Sequence, residues 1–85
     1  MKEVIIYTTK TCPFCVRAKR LLGEKGVEYL ELRVDKNPEL AIEAKEKSGG
    51  RMTVPQIFIG DYHVGGCDDL YALEKENRLD QLLEG

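Results

Sequence analysis

The chain has 85 residues, thirteen basic and fifteen acidic, and a formal net charge of −2. So short a chain reads as one domain over 1–85 with one modest core, and 42% hydrophobic with 33% charged residues suits a folded protein rather than a disordered one. The balanced charge gives no electrostatic footprint for DNA, RNA or an anionic membrane, and no apolar run is long enough to span a bilayer.

Val4-Ile5-Ile6-Tyr7 is a continuous β-branched and aromatic run, the pattern of a strand buried on both faces. Its apolar stretch is too short for a secretory signal and lacks a small-residue cleavage site, so the expected location is the cytoplasm. After the polar turn from Thr8 to Thr11, a helix is expected from Pro13 to Lys25. Cys15, Ala18, Leu21 and Leu22 fall on one side of it, and Arg17, Arg20 and Glu24 on the other. Pro13 suits the first helical turn, where its missing N–H costs nothing. Gly26 ends the helix. The basic cluster at 17, 19 and 20 reads as a solvated helix face.

Glu28 to Val34 reads as a second strand and Asp35 to Pro38 as a turn. The helix expected from Pro38 to Ser48 carries Leu40, Ala41 and Ala44 and little else that is apolar, so it should lie on the surface until Gly49-Gly50 breaks it. Gln56 to Ile59 is a third strand, and Gly60-Asp61 is a two-residue turn into Tyr62-His63-Val64, the spacing of a hairpin. Gly65-Gly66 leads into a helix starting near Cys67-Asp68-Asp69, and Leu79, Leu82 and Leu83 read as a final short turn packing back. The order is strand–helix–strand–helix–strand–strand–helix. A right-handed crossover makes the first two strands parallel, and the hairpin adds an antiparallel pair. The result is an α/β fold in the form of a thin sandwich.

Three cysteines are too few, and odd in number, for a disulfide-stapled scaffold. In a reducing compartment a close cysteine pair is more often catalytic or metal-binding than structural. Cys12 and Cys15 sit where a strand hands over to a helix. There the unpaired N–H groups and the positive end of the dipole favour an anion at Cys12, and the thiolate is the form that attacks a disulfide. Lys10 and Arg17 are near enough in sequence to add positive potential. Cys15 lies one helical turn on, on the inward face, shielded yet able to close a disulfide with Cys12. The expectation is an exposed, attacking Cys12 and a buried, resolving Cys15.

Two other readings carry less weight. Cys12-x-x-Cys15 with His63-x-x-x-Cys67 has the ligand types of a tetrahedral zinc centre, but zinc pairs sit on tight knuckles, whereas here a helix begins inside the first pair. Two small core cysteines placed by chance would not explain the strand-to-helix position. Thr53-Val54-Pro55 precedes the third strand. A cis bond at Pro55 would present the Val54 backbone to an extended thiol partner, although an ordinary trans proline is the commoner case for such a bond.

Taken together, Cys12-Pro13-Phe14-Cys15 after the first strand, Thr53-Val54-Pro55-Gln56-Ile57-Phe58-Ile59 before the hairpin, and Gly65-Gly66-Cys67-Asp68-Asp69 at the last helix resemble the glutaredoxins. The likeness is closest to the short bacterial dithiol kind, the glutaredoxin 3 type, and runs in order and spacing over essentially the whole chain. The resemblance implies a thioredoxin fold with a four-stranded mixed sheet, cis-Pro55, a cytoplasmic monomer and no permanently bound cofactor. Glutathione would be the reducing co-substrate. It also implies where glutathione lies, with Phe14, Thr53, Pro55 and Gly66 among the residues that bind it. The Val54 backbone would pair with the cysteinyl unit, the N–H groups of Cys67 and Asp68 would hold the γ-glutamyl carboxylate, and Asp69 would accept from the α-ammonium group. Arg51 or Lys10 would meet the glycyl carboxylate.

The sequence departs from the family pattern at two positions: Phe14 stands where the family usually has Tyr, and the usual basic position three before the first cysteine is Thr9, with Lys10 one along. The implied partners are glutathionylated or disulfide-containing proteins, ribonucleotide reductase among them. Rival readings are a redoxin reduced by thioredoxin reductase and a module binding a [2Fe–2S] cluster through Cys12 and glutathione. Cys67 reads as a small residue at a helix start, and His63 as a hairpin residue, since a Cys12 thiolate needs no general base.

Overall fold

The computed structural model describes residues 2–84. In chain order the elements are β1 (Val4–Thr8), α1 (Pro13–Glu24), β2 (Leu30–Arg33), α2 (Pro38–Lys47), β3 (Gln56–Ile59), β4 (Tyr62–Gly65), α3 (Cys67–Lys75) and α4 (Leu79–Glu84). The strands form one sheet in the order β2-β1-β3-β4. β1 is parallel to β2, with Ile5 opposite Leu30 and Thr8 opposite Arg33. β1 is antiparallel to β3, with Val4 opposite Ile59 and Tyr7 opposite Gln56. This is the thioredoxin-like mixed sheet, as the sequence predicts.

Because successive strand residues point to opposite faces, the sheet divides its apolar side chains between two layers. Val4, Ile6, Ile57 and Ile59 pack with Ala18, Leu21 and Leu22 of α1, Leu70 of α3 and Leu79 of α4. Tyr7 and Phe58 face the other way, toward Ala44 of α2 with Ile5, Leu32 and Val34 around them. Ala44 is the only buried residue of α2, which otherwise lies on the surface.

Two details differ from the sequence reading. β2 begins at Leu30 rather than Glu28, since its ladder starts opposite Ile5 and Glu28 and Tyr29 lie before it. The residues from Leu79 form a fourth helix rather than a turn. Asn77 in the left-handed region (φ 60°) ends the preceding helix, and Leu79 and Leu83, four apart, bury one face of the new one. Lys25 at the end of α1 reaches both Glu74 and Asp80 at 2.9 Å, tying α3 and α4 to it.

The pairing places the chemistry. Tyr7 opposite Gln56 sets the loop that leaves β1 beside the loop that enters β3. Ile57 opposite Gly65 brings the start of α3 to the same end of the sheet. Three motifs far apart in sequence therefore meet at one edge.

Candidate functional site

Cys12 is the N-cap of α1, with extended backbone (φ −129°, ψ 99°). Its Sγ accepts the Cys15 N–H at 3.1 Å, and its carbonyl accepts the Val16 N–H at 3.1 Å. A sulfur here stands in for the oxygen of the usual capping residues and meets N–H groups the helix leaves unpaired. No acidic residue stands in the first turn of α1 to oppose a negative charge. Cys12 and Cys15 are joined by a disulfide, their Cα atoms 5.2 Å apart.

The expectation of an exposed Cys12 needs correction, because Cys12 is 8% exposed and Cys15 1%. The capping geometry turns the sulfur over the first helical turn, and the Val54 carbonyl oxygen lies 3.8 Å from it on the other side. Cys12 still keeps the greater access, so the asymmetry between an outer and an inner sulfur stands.

The Val54–Pro55 peptide bond is cis. Beside it a cleft of about 170 Å³ runs from Phe14 to the start of α3. Arg51, Thr53, Val54 and Pro55 form one wall; Gly66, Cys67, Asp68 and Asp69 form the other. Phe14, half exposed, stands at the mouth next to the disulfide. With Gly66 as the N-cap of α3, the N–H groups of Cys67 and Asp68 have no acceptor within the helix, the arrangement that favours an anion at a helix start. Asp69 Oδ2 accepts the Gly66 N–H at 2.9 Å and lies 3.8 Å from Arg51 Nη1. Gly65 adopts φ +110°, and a Cβ there would fall on the Asp69 carboxylate, so only glycine lets the strand end and the carboxylate sit this close.

Of the residues expected to meet glutathione, Lys10 alone does not line this cleft. Its backbone N–H donates to Asp35 Oδ2 at 3.0 Å, and Asp35 is also paired with Arg33. Arg17, expected to support Cys12, lies over the Tyr71 ring, 5.5 Å from its centroid. Cys67 is a free, buried thiol; burial pushes it above its ordinary range, Asp68 reinforces this, and Arg17 opposes it. Among the described residues, no three His, Cys, Asp or Glu side chains gather as a metal centre would need, and no helix is long and apolar enough to cross a membrane.

Gln56 is the residue that sequence reasoning missed. It is 1% exposed, and its amide nitrogen donates to the Thr53 carbonyl at 3.0 Å and the Thr53 hydroxyl at 3.2 Å. Its Oε1 lies 2.7 Å from His63 Nε2, which must carry the proton because Oε1 can only accept. Gln56 thus fixes the strap of residues leading to Pro55. The signal was present: an amide at the head of an otherwise apolar buried strand needs partners. His63 stacks on Phe58, centroids 4.8 Å apart. Burial, then the nearby Arg51, lowers its pKa, and Asp69 opposes them.

A larger depression of about 560 Å³ lies at the far end of the sheet among Lys2, Glu28 and Tyr29. It holds no cysteine, so the smaller cleft beside the disulfide is the candidate site.

A protein-family model described as Glutaredoxin matches residues 4–64. A glutaredoxin of Pseudomonas aeruginosa is 57% identical over 83 residues, covering 98% of each chain. In structure, the chain is similar to a glutaredoxin from Brucella melitensis, with TM-score 0.85 and 60% identity over 98% of this chain and 89% of that one. A buckwheat glutaredoxin–glutathione complex superposes with TM-score 0.88 at 26% identity, covering 98% of this chain and 77% of that one.

Proposed function

The chain belongs to the glutaredoxin family of thiol–disulfide oxidoreductases, and from that premise we propose that it takes its electrons from glutathione and reduces protein–glutathione mixed disulfides and protein disulfides. The observation that carries this reading is a cleft with two ends of different chemistry. One end is lined by Phe14, between the two disulfide cysteines in sequence, and by Val54, whose carbonyl lies 3.8 Å from Cys12 Sγ. The other offers the free N–H groups of a helix start together with an Asp69 carboxylate already held by Gly66. A ligand with a thiol in its middle and an amino acid's ammonium and carboxylate at one end fits that spacing of functions. The buckwheat relative, solved as a complex with glutathione, supports the same ligand here.

In the monothiol route the Cys12 thiolate attacks the glutathione sulfur of protein–S–S–glutathione. The Cys12–S–S–glutathione bond forms and the protein leaves as its thiolate. A second glutathione thiolate then attacks the sulfur of the bound glutathione, releasing glutathione disulfide and the Cys12 thiolate. In the dithiol route Cys12 forms a mixed disulfide with the substrate protein. Cys15 attacks Cys12 to release the second protein thiolate, and two glutathiones reduce the resulting Cys12–Cys15 disulfide. The chain's own contributions are the N–H groups that favour the Cys12 thiolate and the shielding that keeps Cys15 for the internal step. On this reading the protein works as a cytoplasmic monomer formed of one domain, holds no permanent cofactor, and counts ribonucleotide reductase among its partners.

The test is turnover of a glutathionylated peptide by the reduced protein with glutathione, glutathione reductase and NADPH. Wild type turns over, Cys12→Ser does not, and Cys15→Ser retains the monothiol route. Reduction by thioredoxin reductase with no turnover by glutathione would move the protein to the thioredoxin-like alternative, and activity surviving in Cys12→Ser would refute the nucleophile.

A further inference from the structure

The strap that walls the thiol cleft has a second side. Between it and α2 lies a smaller groove of about 90 Å³ lined by Val34, Ala41, Ala44 and Met52, with Lys45 and Arg51 at its edge. Arg51, Thr53 and Val54 line both grooves, so the two hollows share one wall only a few residues long. No acidic side chain lines the second groove. Met52 beside it is 82% exposed, and Ile42 on α2 is 60% exposed. This apolar surface is not used by the core.

A protein–glutathione mixed disulfide has two halves joined at a sulfur pair, and the thiol cleft accommodates one of them. The Val54 carbonyl lies 3.8 Å from Cys12 Sγ, so the polypeptide bonded to the glutathione sulfur that Cys12 attacks leaves from beside the strap. In an extended chain, side chains two residues apart point the same way and lie ~7 Å apart. A residue near the reacting cysteine therefore reaches across the strap. The second groove has room for one apolar side chain, not for a tripeptide, and its cationic edge complements a carboxylate. We propose that this groove binds the polypeptide half of the substrate, taking an apolar side chain close to the mixed-disulfide cysteine with an acidic residue beside it facing Lys45 and Arg51. The proposal rests on the glutathione reading above and adds the class of protein sequence that the site selects.

The experiment compares three substrates in the glutathione, glutathione reductase and NADPH assay. They are the mixed disulfide of glutathione with 2-mercaptoethanol, a glutathionylated peptide with Leu and Asp near its cysteine, and the same peptide with Ser and Lys in their place. Wild type should prefer the Leu/Asp peptide by about tenfold or more in kcat/KM, the scale on which an apolar pocket discriminates. Ala41→Glu and Lys45→Glu, both at exposed positions of α2, should remove most of that preference and leave the small substrate unchanged, which also shows that the variants fold. Equal rates for the two peptides in wild type, with normal turnover of the small substrate, overturn the groove and leave the glutathione reading in place. A preference that survives in both variants also overturns it. No turnover of the small substrate overturns the glutathione reading, and the groove's assignment with it.

Discussion

The Cys15 backbone N–H donates to the Cys12 sulfur across 3.1 Å, so the proposed nucleophile is also the residue that caps α1. The two roles are separable by substitution. Cys12→Ser retains an oxygen able to accept the same N–H, whereas Cys12→Ala leaves it unpaired, at a cost of about 1 kcal/mol. Both variants should be inactive in the glutathione assay. Under reducing conditions, denaturant unfolding should place Cys12→Ser close to the reduced wild type and Cys12→Ala below it. Equal stability of the two variants would show that the sulfur's capping contact carries no weight.

Cys12 and Cys67 should react very differently once the disulfide is reduced. Cys12 has the Cys15 N–H to stabilise its thiolate, while burial and Asp68 hold the Cys67 thiol above its ordinary range. Brief iodoacetamide treatment of the reduced native protein at pH 7, followed by peptide mass analysis, should find Cys12 alkylated and Cys67 spared. Labelling of Cys67 should require denaturant. Comparable labelling of both in the native state would contradict the burial of Cys67.

Gln56 is the point at which the sheet fixes the strap. Gln56→Leu keeps the volume but removes the donors to Thr53 and the acceptor for His63. Losing partners from a site this deeply buried should cost about 1–3 kcal/mol of stability. The KM for a glutathione mixed disulfide should rise, because Thr53 and Val54 line its cleft. An unchanged KM with lowered stability would make Gln56 a residue of the core only.

Gln56 also marks the limit of what the sequence discloses. Local patterns carried the fold: β-branched runs gave the strands, glycine and proline gave the turns, and Leu21, Leu22 and Ala18 gave the buried face of α1. Three motifs in the right order supply most of the residues that line the candidate cleft. What escaped were relations that exist only after the sheet has paired. That Gln56 lies opposite Tyr7 and bonds back to Thr53 depends on register. That Cys12 is covered depends on how close Val54 comes to it. Lys10 and Arg51 were equal candidates for one carboxylate by charge alone, and only the folded chain places Arg51 on the cleft and Lys10 off it.

Gly65 is the position where space matters most in the cleft. At φ +110° an alanine is strained, and its Cβ would displace the Asp69 carboxylate from the Gly66 N–H. Gly65→Ala should lose about 1–3 kcal/mol of stability through the backbone. Losing the Asp69 negative charge from this place should raise the KM for the glutathione substrate roughly tenfold, equivalent to about 1.4 kcal/mol. Asp69→Asn, which leaves the backbone free of strain, should reproduce the KM effect with little loss of stability. A rise in KM with Gly65→Ala but not with Asp69→Asn would assign the effect to the strand end instead.

His63 is the only histidine in the chain, which gives its titration a clean window. Burial, then Arg51, holds its folded pKa below the ordinary 6.5, against the opposing pull of Asp69. The unfolded chain therefore binds a proton at higher pH than the folded one. Stability from the neutral ring is fully present above about pH 6.5 and is lost as pH falls through the lower, folded value. Ordinary Asp and Glu side chains titrate mainly below pH 5, so the decline between about pH 6.5 and 5 should belong to His63. Denaturant midpoints measured across that range should fall with pH in wild type and stay nearly flat in His63→Gln, whose amide still donates to Gln56. The bond to Gln56 itself should survive in wild type, because protonation adds its hydrogen at Nδ1 and leaves the Nε2–H in place. The KM for a glutathione substrate should therefore hold steady while stability declines. A KM that rises in step with the loss of stability would show instead that His63 protonation loosens the strap.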